Sequence, residues 1–463
     1  MRILLTHGYF LSEDEKEKQI MRPYIPLGIL YISAYLEKNG YGNEVFDSTF
    51  SSKEYLFQFL TEFNPDVIGI YTNLMTKLNV LQIIQHIKTH HPHTKIILGG
   101  PEVRHSAENF LKFGADIIVI GEGESTMLEV VQHYEGSGYI DLNQINGIAF
   151  LENNNFIQTF ERSKLKNIDE LPFPNRHKVN LRLYLDAWKK FHGKNAISVS
   201  TMRGCPYSCK WCSRAVYGMS YRRRSPELVV EELSLIYSTY APDSIWFVDD
   251  VFTISHKWME NFHALLKEKS LKISYECITR ADRLNEDVIK LLKETGCFRV
   301  WIGAESGSQR VIDLMNRRVK VEQVREMIQL ASKYGIETGT FIMLGYPGET
   351  EADIKETIHH LKVSNPDHFT ITIAYPIKGT ELYKEVQSLQ LNNVQWHEGN
   401  DRQIDFKRTY SRKYYDHAVN HVISEVNYNK FLKQRRWRSV KCKLQSYKAL
   451  LGMHYHKRIK DPI

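Results

Sequence analysis

Three cysteines lie within eight residues of one another, at a spacing that suits a metal cluster. Cys205, Cys209 and Cys212 form a C-x3-C-x2-C pattern, with Trp211 directly before the last cysteine. Three thiolates on one short loop can each bind a different iron of a cubane iron–sulfur cluster. The fourth iron then has no protein ligand, so the pattern predicts a 4Fe-4S cluster to which a small molecule can bind.

A structural zinc site is the alternative interpretation of the same cysteines. Zinc in a closed structural site takes four ligands, usually supplied as two closely spaced pairs of Cys or His. No second pair follows the loop, because His192 and His256 are isolated in the sequence. The spacing therefore favours the iron–sulfur cluster.

The remaining cysteines and the composition indicate a reducing, cytoplasmic setting. Cys277, Cys297 and Cys442 are scattered, which does not resemble a disulfide framework. We expect Cys277 and Cys297 to be core thiols, and a proton-donating role for Cys277 stays open. The hydrophobic fraction of 42% and charged fraction of 25% are those of a soluble globular protein. No apolar run is long enough for a membrane span, and the first residues are too short a stretch for a signal peptide.

Short apolar runs alternate with amphipathic stretches over residues 1–150. Strands are predicted at Arg2–Thr6, Glu44–Asp47, Val67–Tyr71, Lys95–Gly99 and Asp116–Ile120. Helices are predicted near 27–39, 53–63, 76–90, 104–113 and 124–134. This alternation predicts an α/β domain, flavodoxin-like or Rossmann-type, with a parallel sheet that binds ligands at the carboxyl ends of its strands.

A second alternating region follows a change of character at residues 151–195. Leu171-Pro172-Phe173-Pro174-Asn175 is turn-forming, and we interpret this stretch as an interdomain connection. Strands are predicted at Ile197–Met202, Ser244–Val248, Ser274–Ile278, Arg299–Gly303, Glu337–Met343 and His368–Ile373. Helices are predicted near 225–238, 257–268, 285–295, 308–315, 322–334 and 350–362. Six such units over 196–385 predict a partial (β/α)6 barrel, followed by a mainly helical extension over 386–463.

The segment Met202–Cys212 resembles the signature of the radical S-adenosylmethionine superfamily. In that family the open iron of the cluster binds S-adenosylmethionine, and an electron from the cluster cleaves it to methionine and a 5′-deoxyadenosyl radical. The resemblance implies that the radical removes hydrogen from a substrate, while the protein orients and shields the reacting groups.

The resemblance extends to the strand ends of the second region. It implies that S-adenosylmethionine is bound by Trp211, Asp249, Asp250, Arg280, Glu305, Ser306 and Gly345. In the family, residues at these places lie near the methionine amino group, its carboxylate, the ribose hydroxyls and the adenine. Taken singly, each has a structural alternative, since an acid at a strand end often caps a helix. The Gly-Tyr-Pro-Gly-Glu-Thr stretch at 345–350 could also be only a tight turn.

The order of the domains resembles the cobalamin-binding subgroup of this superfamily. Residues 26–36 are similar to the first helix of its N-terminal domain. The resemblance implies cobalamin contacts from Tyr71, Thr72, Asn73, Gly99, Gly100, Gly121 and Glu122. The Asp-x-His-x-x-Gly motif of many cobalamin domains is absent, so we expect no histidine below the cobalt, and we expect His7 to be a packing residue. A domain that packs as a scaffold and binds nothing is the alternative.

The resemblance implies an anaerobic enzyme that methylates an unactivated carbon with two molecules of S-adenosylmethionine. Oxidative cyclisation, as in the anaerobic magnesium-protoporphyrin ester cyclase, is the alternative within enzymes, and an iron–sulfur redox sensor is the alternative from another class. A methylthiotransferase is disfavoured because residues 1–204 contain no cysteine. We expect a small-molecule or lipid-like substrate and a reductant such as flavodoxin or ferredoxin. The residues that act on the substrate are not identifiable.

Positive charge is concentrated in the C-terminal segment. Residues 401–463 contain 16 Lys and Arg against 5 Asp and Glu, a net +11, so the first 400 residues carry a net −4. Lys433-Gln434-Arg435-Arg436-Trp437-Arg438 is the densest stretch. A solvated helical face is one interpretation, and contact with a membrane surface or an anionic, lipid-like substrate is the other. No RNA-binding motif accompanies the charge, so nucleic acid is not expected.

Overall fold

The computed structural model describes residues 1–136, 140–434 and 437–458. The chain divides into two compact units. The first consists of Met1–Pro206, Ser213–Ile245 and Gln395–Asn400, and the second of Tyr207–Cys212, Trp246–Val394 and Asp401–Ile463. The domain limits expected at residues 150, 195 and 385 stay predictions.

A seven-stranded sheet lies within the first unit. Its strands are β1 (Ile3–His7), β2 (Glu44–Phe46), β3 (Val67–Tyr71), β4 (Lys95–Gly99), β5 (Ile117–Val119), β6 (Ile148–Glu152) and β7 (Asn155–Gln158). The order is β2-β1-β3-β4-β5-β6-β7, with parallel pairing from β2 to β5 and antiparallel pairing from there to β7. The parallel part has the 2-1-3-4-5 order of flavodoxin-like folds, as the alternation predicted.

Both faces of this sheet are buried, which explains its continuous runs of Ile, Leu and Val. Successive side chains of a strand point to opposite faces. Leu4 accordingly packs in one apolar cluster, whereas Ile3 and Leu5 pack in the other. Helices cover the two faces, as parallel sheets require.

The segment 151–195 is more ordered than the sequence indicated. β6 begins before it and β7 lies within it, and together they extend the first sheet by an antiparallel hairpin. A helix, Leu181–His192, follows the proline-containing stretch. Neither feature was predicted. Short strands with exposed outer residues carry a weak periodic signal, which explains why the hairpin was missed.

A six-stranded sheet carries the second alternating region. Its strands are β8 (Ala196–Val199), β11 (Ser244–Phe247), β12 (Tyr275–Thr279), β13 (Cys297–Glu305), β14 (Glu337–Leu344) and β15 (His368–Ile373). They follow one another in chain order across the sheet. β12 to β15 pair in parallel. A small antiparallel pair, β9 (Met202–Arg203) and β10 (Arg222–Arg223), brackets the cysteine loop. The expected partial barrel architecture is confirmed.

Helices connect these strands. Those of the first alternating region are α1 (Glu15–Ile20), α2 (Leu27–Lys38), α3 (Lys53–Phe63), α4 (Lys77–His90), α5 (Ala107–Lys112), α6 (Glu124–Glu135) and α7 (Leu181–His192). Those of the second are α8 (Pro226–Tyr240), α9 (His256–Glu268), α10 (Glu286–Glu294), α11 (Gln309–Leu314), α12 (Val321–Lys333), α13 (Glu351–Ser364) and α14 (Glu381–Val386). Local signals set several starts: Ser225 caps α8 before a proline, and Thr350 and Asp353 form a capping box on α13.

The C-terminal extension is helical, as predicted. α15 (Arg412–Lys433) and α16 (Arg438–Arg458) form a helical hairpin. Of the basic stretch at its turn, Arg435 and Arg436 lie outside the described residues. No helix in the described parts of the chain is long and apolar enough to cross a bilayer.

Candidate cluster and cofactor sites

The cysteine loop runs between β9 and β10. Cys209 is buried, Cys205 partly buried and Cys212 exposed, and none is in a disulfide. Two main-chain hydrogen bonds anchor the loop at Lys210. The Lys210 amide donates to the Met315 carbonyl at 3.2 Å, and the Lys210 carbonyl accepts from the Leu382 amide at 2.9 Å. The loop is therefore held in a defined path.

Arg280, directly after β12, ties the loop to its surroundings. Its Nη1 lies 3.7 Å from the Sγ of Cys209, and its Nη2 donates to the Arg317 carbonyl at 2.8 Å. Its guanidinium stacks on the Tyr207 ring, 3.8 Å from the ring centre, and bonds Asp282 at 2.8 Å. A fixed cation beside this sulfur stabilises thiolate and cluster charge.

Glu305 lies at a strained position at the end of β13. Its φ of 67° is left-handed, and the pairing of β13 with β14 shifts register between Gly303 and Glu305. Such irregularities re-aim side chains and gather at functional sites. Burial raises the pKa of Glu305, although Arg317, with its Nη1 3.4 Å away, and Arg280 act in the opposite direction.

Two adjacent carboxylates follow β11. Asp249 is buried, whereas Asp250 is accessible to solvent. Desolvation by surrounding protein, and then the Asp249 charge, raise the pKa of Asp250. A side chain that is accessible yet crowded by protein is the kind expected to line a cavity.

Gly345, directly after β14, has a φ of +76° that favours glycine. Its amide donates to the Glu349 Oε2 at 2.6 Å. Glu349 is fully buried, and its Oε1 has no hydrogen-bond partner. Burial raises the pKa of Glu349 to about 8, despite the bond from Gly345. Below about pH 8 the Glu349 carboxyl group is therefore mostly neutral, and in this form it holds the turn at the end of β14.

The other residues predicted to bind S-adenosylmethionine differ in what they contact. Trp211 packs on the apolar cluster around Tyr346 and lies under the Arg317 guanidinium. Ser306 is buried, its hydroxyl bonded to Thr357 and to the Ser308 amide. The Ser306 hydroxyl, which was predicted to bind the ribose, is therefore hydrogen-bonded within the protein.

Cys277 and Cys297 are buried on neighbouring strands. The Cys297 Sγ donates to the Arg299 carbonyl at 3.2 Å. Burial, and then the neighbouring Cys297 thiol, raise the pKa of the Cys277 thiol well above its ordinary range. Both behave as core thiols.

The main chain makes a close approach just past the carboxyl ends of the neighbouring parallel strands β3 and β4 in the first unit. The Thr72 amide donates to the Gly99 carbonyl at 2.7 Å. A Cβ on Gly100, whose φ is +107°, would lie 2.4 Å from the Thr72 carbonyl oxygen, so only glycine fits. Tyr71 is half-buried here, and burial raises its pKa to about 12.

Beside this close approach, two other glycines would accept a Cβ without a clash. The added atom would make ordinary van der Waals contact, with its nearest neighbour 3.9 Å away at Gly99 and 3.8 Å away at Gly121. Glycines at the strand ends where an α/β sheet binds ligands allow a ligand to approach the main chain, so the residues present fit a large flat cofactor such as cobalamin.

Two residues predicted to contact cobalamin are engaged with protein instead. The Asn73 Oδ1 accepts from the Met75 and Thr76 amides and so shapes the start of α4. Glu122 accepts from Arg222 at 2.7 Å and from Arg203 at 3.1 Å. Hydrogen bonds from Arg222 and the charge of Arg203 lower the pKa of Glu122 against its desolvation.

Arg203 itself is buried between acids and rings. It bonds Glu124 at 3.1 Å, and its guanidinium lies 5.5 Å from the Tyr31 ring centre and 5.3 Å from that of Tyr217. Because Arg203 immediately precedes the loop of Cys205, this ion network fixes the entry to the cysteine loop.

His7 is a packing residue, as expected. Its Nε2 bonds the Asp47 Oδ1 at 3.0 Å, and its Nδ1 accepts from the Tyr9 amide at 3.2 Å. With both nitrogens in use, His7 has none to give to cobalt.

The donor set of the cysteine loop fits an iron–sulfur cluster. The three thiolates of a cubane bind separate irons, and the Arg280 cation beside Cys209 matches the charge of such a cluster.

Sequence reasoning missed Arg317, Glu349 and Arg203. Arg317 donates to the Gly303 carbonyl at 2.7 Å and pairs with Glu305. Arg203 and Glu349 lie inside motifs that the sequence had singled out, so their position was the available signal. Arg317 lies outside any motif, and only the fold reveals it.

Comparisons with known proteins match both units. The radical SAM superfamily profile matches residues 199–361, and the B12 binding domain profile matches residues 20–131. An uncharacterized methyltransferase of Pyrococcus horikoshii is 30% identical over 368 residues, 78% of each chain.

Two further proteins are similar. The anaerobic magnesium-protoporphyrin IX monomethyl ester cyclase of Rubrivivax gelatinosus is 25% identical over 83% of this chain and 70% of its own. The radical S-adenosylmethionine methyltransferase TsrM of Kitasatospora setae, solved with cobalamin and a [4Fe-4S] cluster, has the same fold. Its TM-score is 0.69 at 16% identity, over 84% of this chain and 74% of that one.

Proposed function

Since this chain belongs to the cobalamin-dependent radical S-adenosylmethionine enzymes, we propose that it transfers a methyl group to an unactivated carbon of a small-molecule or lipid-like substrate. Its cofactors are a 4Fe-4S cluster, S-adenosylmethionine and cobalamin. When bound, these supply an electron, a hydrogen-abstracting radical and a transferable methyl group. The observation that carries the proposal is the pairing of a B12-binding domain and a radical domain in a chain 30% identical to a methyltransferase.

Cys205, Cys209 and Cys212 would hold the cluster. Arg280 would stabilise the charge on Cys209, because its guanidinium is fixed by Tyr207 and the Arg317 carbonyl rather than free in solvent. A preorganised cation needs no rearrangement when charge changes beside it.

Asp249, Asp250, Glu305 and Gly345 would bind S-adenosylmethionine. Asp250 is the accessible carboxylate of its pair and so is the better partner for an ammonium group. Glu305 is aimed by the irregular end of β13 and can accept from hydroxyls. Gly345, held by Glu349, exposes main chain in a tight turn where a flat base can approach.

In the first unit, Tyr71, Thr72, Gly99, Gly100 and Gly121 would line the cobalamin site. His7 would stay bonded to protein atoms rather than bind the cofactor. Asn73 and Glu122 would act by shaping the surrounding loops, because their side chains bond protein atoms.

Partners and location extend the proposal. An electron donor such as flavodoxin or ferredoxin must reduce the cluster, and a cytoplasmic location suits six cysteines outside disulfides. A peripheral contact of the basic C-terminal segment with a membrane would give access to a lipid-like substrate.

Isotope transfer tests the proposal. Reconstituted protein would be incubated anaerobically with dithionite, hydroxocobalamin and S-adenosylmethionine carrying a CD3 group. We expect CD3-cobalamin and S-adenosylhomocysteine to form together, because transfer of the methyl group from S-adenosylmethionine to cobalamin leaves S-adenosylhomocysteine. Production of 5′-deoxyadenosine with no S-adenosylhomocysteine would contradict methylation and favour oxidative cyclisation, the activity in the name of the Rubrivivax relative.

A further inference from the structure

One face of α16 exposes a continuous row of large apolar side chains. The row, called here the α16 stripe, consists of Trp437, just before the helix, and Val440, Leu444, Tyr447, Leu451 and Tyr455. Each is between 55% and 77% exposed. Spacings of three and four residues place all six within about 80° of the helix circumference.

The opposite face of α16 is already in use. Ser446, Ala449 and Met453 are buried there. The Ser446 Oγ donates to Glu425 of α15 at 2.6 Å, and Lys443 bonds the same carboxylate at 2.7 Å. Packing within the hairpin therefore leaves the α16 stripe facing outward, and surfaces of this kind on a soluble chain mark interaction sites.

Charge along the helix has one sign. Arg438, Lys441, Lys443, Lys448, Lys457 and Arg458 are all basic, and α16 contains no acidic residue. Lys441 and Lys448 are exposed and lie next to the stripe on the helix circumference. The surface is thus an apolar row bordered by cations.

We propose that the α16 stripe lies flat on an anionic lipid surface, with Leu444 and Leu451 entering the interface and Lys441 and Lys448 meeting the headgroups. Trp and Tyr prefer the boundary between headgroups and acyl chains, which suits Trp437, Tyr447 and Tyr455. A second copy of the chain is a poorer occupant, because pairing two stripes would bring two cation rows together without acids. The inference is carried by α16 alone, so its failure leaves the methyl-transfer proposal standing.

Vesicle flotation tests the surface with the full, anaerobically reconstituted chain. Vesicles of phosphatidylcholine with 30% phosphatidylglycerol would be compared with pure phosphatidylcholine. We expect binding to be about tenfold tighter to the anionic vesicles and to weaken in 0.5 M salt. A Leu444→Ser/Leu451→Ser double variant should lose about tenfold or more of that binding while its charge is unchanged.

The matched control is Leu235→Ser, a 53% exposed leucine on α8 in the first unit. It should bind vesicles like the parent, and all variants should keep their melting temperature because the altered side chains are exposed. Lys441→Gln/Lys448→Gln should retain weak binding and lose the preference for anionic lipid.

Three results would overturn the inference. One is no binding to anionic vesicles. Another is binding that the double leucine variant retains in full, since charge alone would then suffice. The third is self-association in sedimentation that the same variant abolishes, without vesicle binding, since the occupant would then be a second copy.

Discussion

Charged side chains near the candidate cluster site are held by backbone atoms as much as by opposite charges. Arg280 bonds the Arg317 carbonyl, Arg317 bonds the Gly303 carbonyl, and Glu349 accepts from the Gly345 amide. Such bonds fix Arg280 and Arg317 without neutralising their charge, and they position the buried carboxyl group of Glu349. Reactivity at the cluster site should therefore depend on where these side chains are held as well as on their charges.

Arg280 should tune the cluster. In Arg280→Met the cation 3.7 Å from Cys209 is lost, so reduction of the cluster becomes harder and its midpoint potential falls. Losing a charged hydrogen bond of about 1.5–3 kcal/mol should slow 5′-deoxyadenosine formation by roughly ten- to a hundredfold. Redox titration followed by electron paramagnetic resonance measures the potential.

Arg280→Lys is the matched control, because it keeps the charge and loses the planar fork. It should restore most of the potential and only part of the rate. An unchanged potential in Arg280→Met would show that the residue acts through folding alone.

Glu349 should make stability depend on pH. Its pKa is raised from 4.5 to about 8, so the folded chain retains a proton that the unfolded chain releases. The stabilisation is fully present below about pH 4.5 and is lost as pH rises toward 8, at a cost on the order of a few kcal/mol. Glu349→Gln stays neutral and can still accept from Gly345.

The melting temperature of the wild type should therefore fall relative to Glu349→Gln between pH 5 and pH 9. Differential scanning fluorimetry across this range measures the difference. Parallel curves for the two proteins would mean that the buried carboxyl group is not retained in its neutral form.

At the scale of elements, strand ends decide what each sheet can bind. Past the ends of the paired strands β3 and β4 the main chain approaches so closely that Gly100 is obligatory, whereas a Cβ at Gly99 or Gly121 would make only ordinary van der Waals contact. The carboxyl ends of β11, β12 and β13 bring Asp250, Arg280 and Glu305 to one edge of their sheet. The elements therefore position the residues of both candidate sites.

Substitutions at the two adjacent glycines should separate folding from cofactor uptake. Gly100→Ala places a Cβ 2.4 Å from the Thr72 oxygen at a φ of +107°, so it should destabilise the first unit by about 1–3 kcal/mol. Gly99→Ala meets nothing nearer than 3.9 Å and should fold normally, yet it fills the space proposed for cobalamin.

Urea melts and the visible spectrum after incubation with hydroxocobalamin measure the two effects. Full cobalamin uptake by Gly99→Ala would place the cofactor elsewhere. A Gly100→Ala variant of normal stability would contradict the close approach of Gly100 to the Thr72 carbonyl oxygen.

Much of the secondary structure was predictable from the sequence. Strands β3 and β4 have the predicted bounds, because their buried runs of Ile, Val and Leu are bounded by clear turn residues. β15 also has the predicted bounds, although its residues alternate between exposed and half-buried. The hairpin of β6 and β7 was missed because its outer strand is exposed. For site residues the sequence located strand ends but not side-chain partners. Ser306 bonds Thr357, some 50 residues away in the chain, and only the fold brings them together.

The whole molecule combines two domains with distinct cofactors in one chain. The B12-binding profile and the radical profile match separate stretches, and the relative in Pyrococcus covers both. The basic C-terminal segment adds net charge that neither domain requires. Methylation and cyclisation share this layout, so the domain order leaves the substrate open and fixes only the first chemical event.

That first event is the reductive cleavage of S-adenosylmethionine, which is measured by the formation of 5′-deoxyadenosine. Reconstituted wild-type protein would be incubated anaerobically with dithionite and S-adenosylmethionine, beside a Cys209→Ser variant, and the product quantified by mass spectrometry. We predict 5′-deoxyadenosine and methionine in equal amounts from the wild type and none above background from the variant. A wild type that contains its cluster but yields no 5′-deoxyadenosine, or a variant that yields as much, would contradict the account.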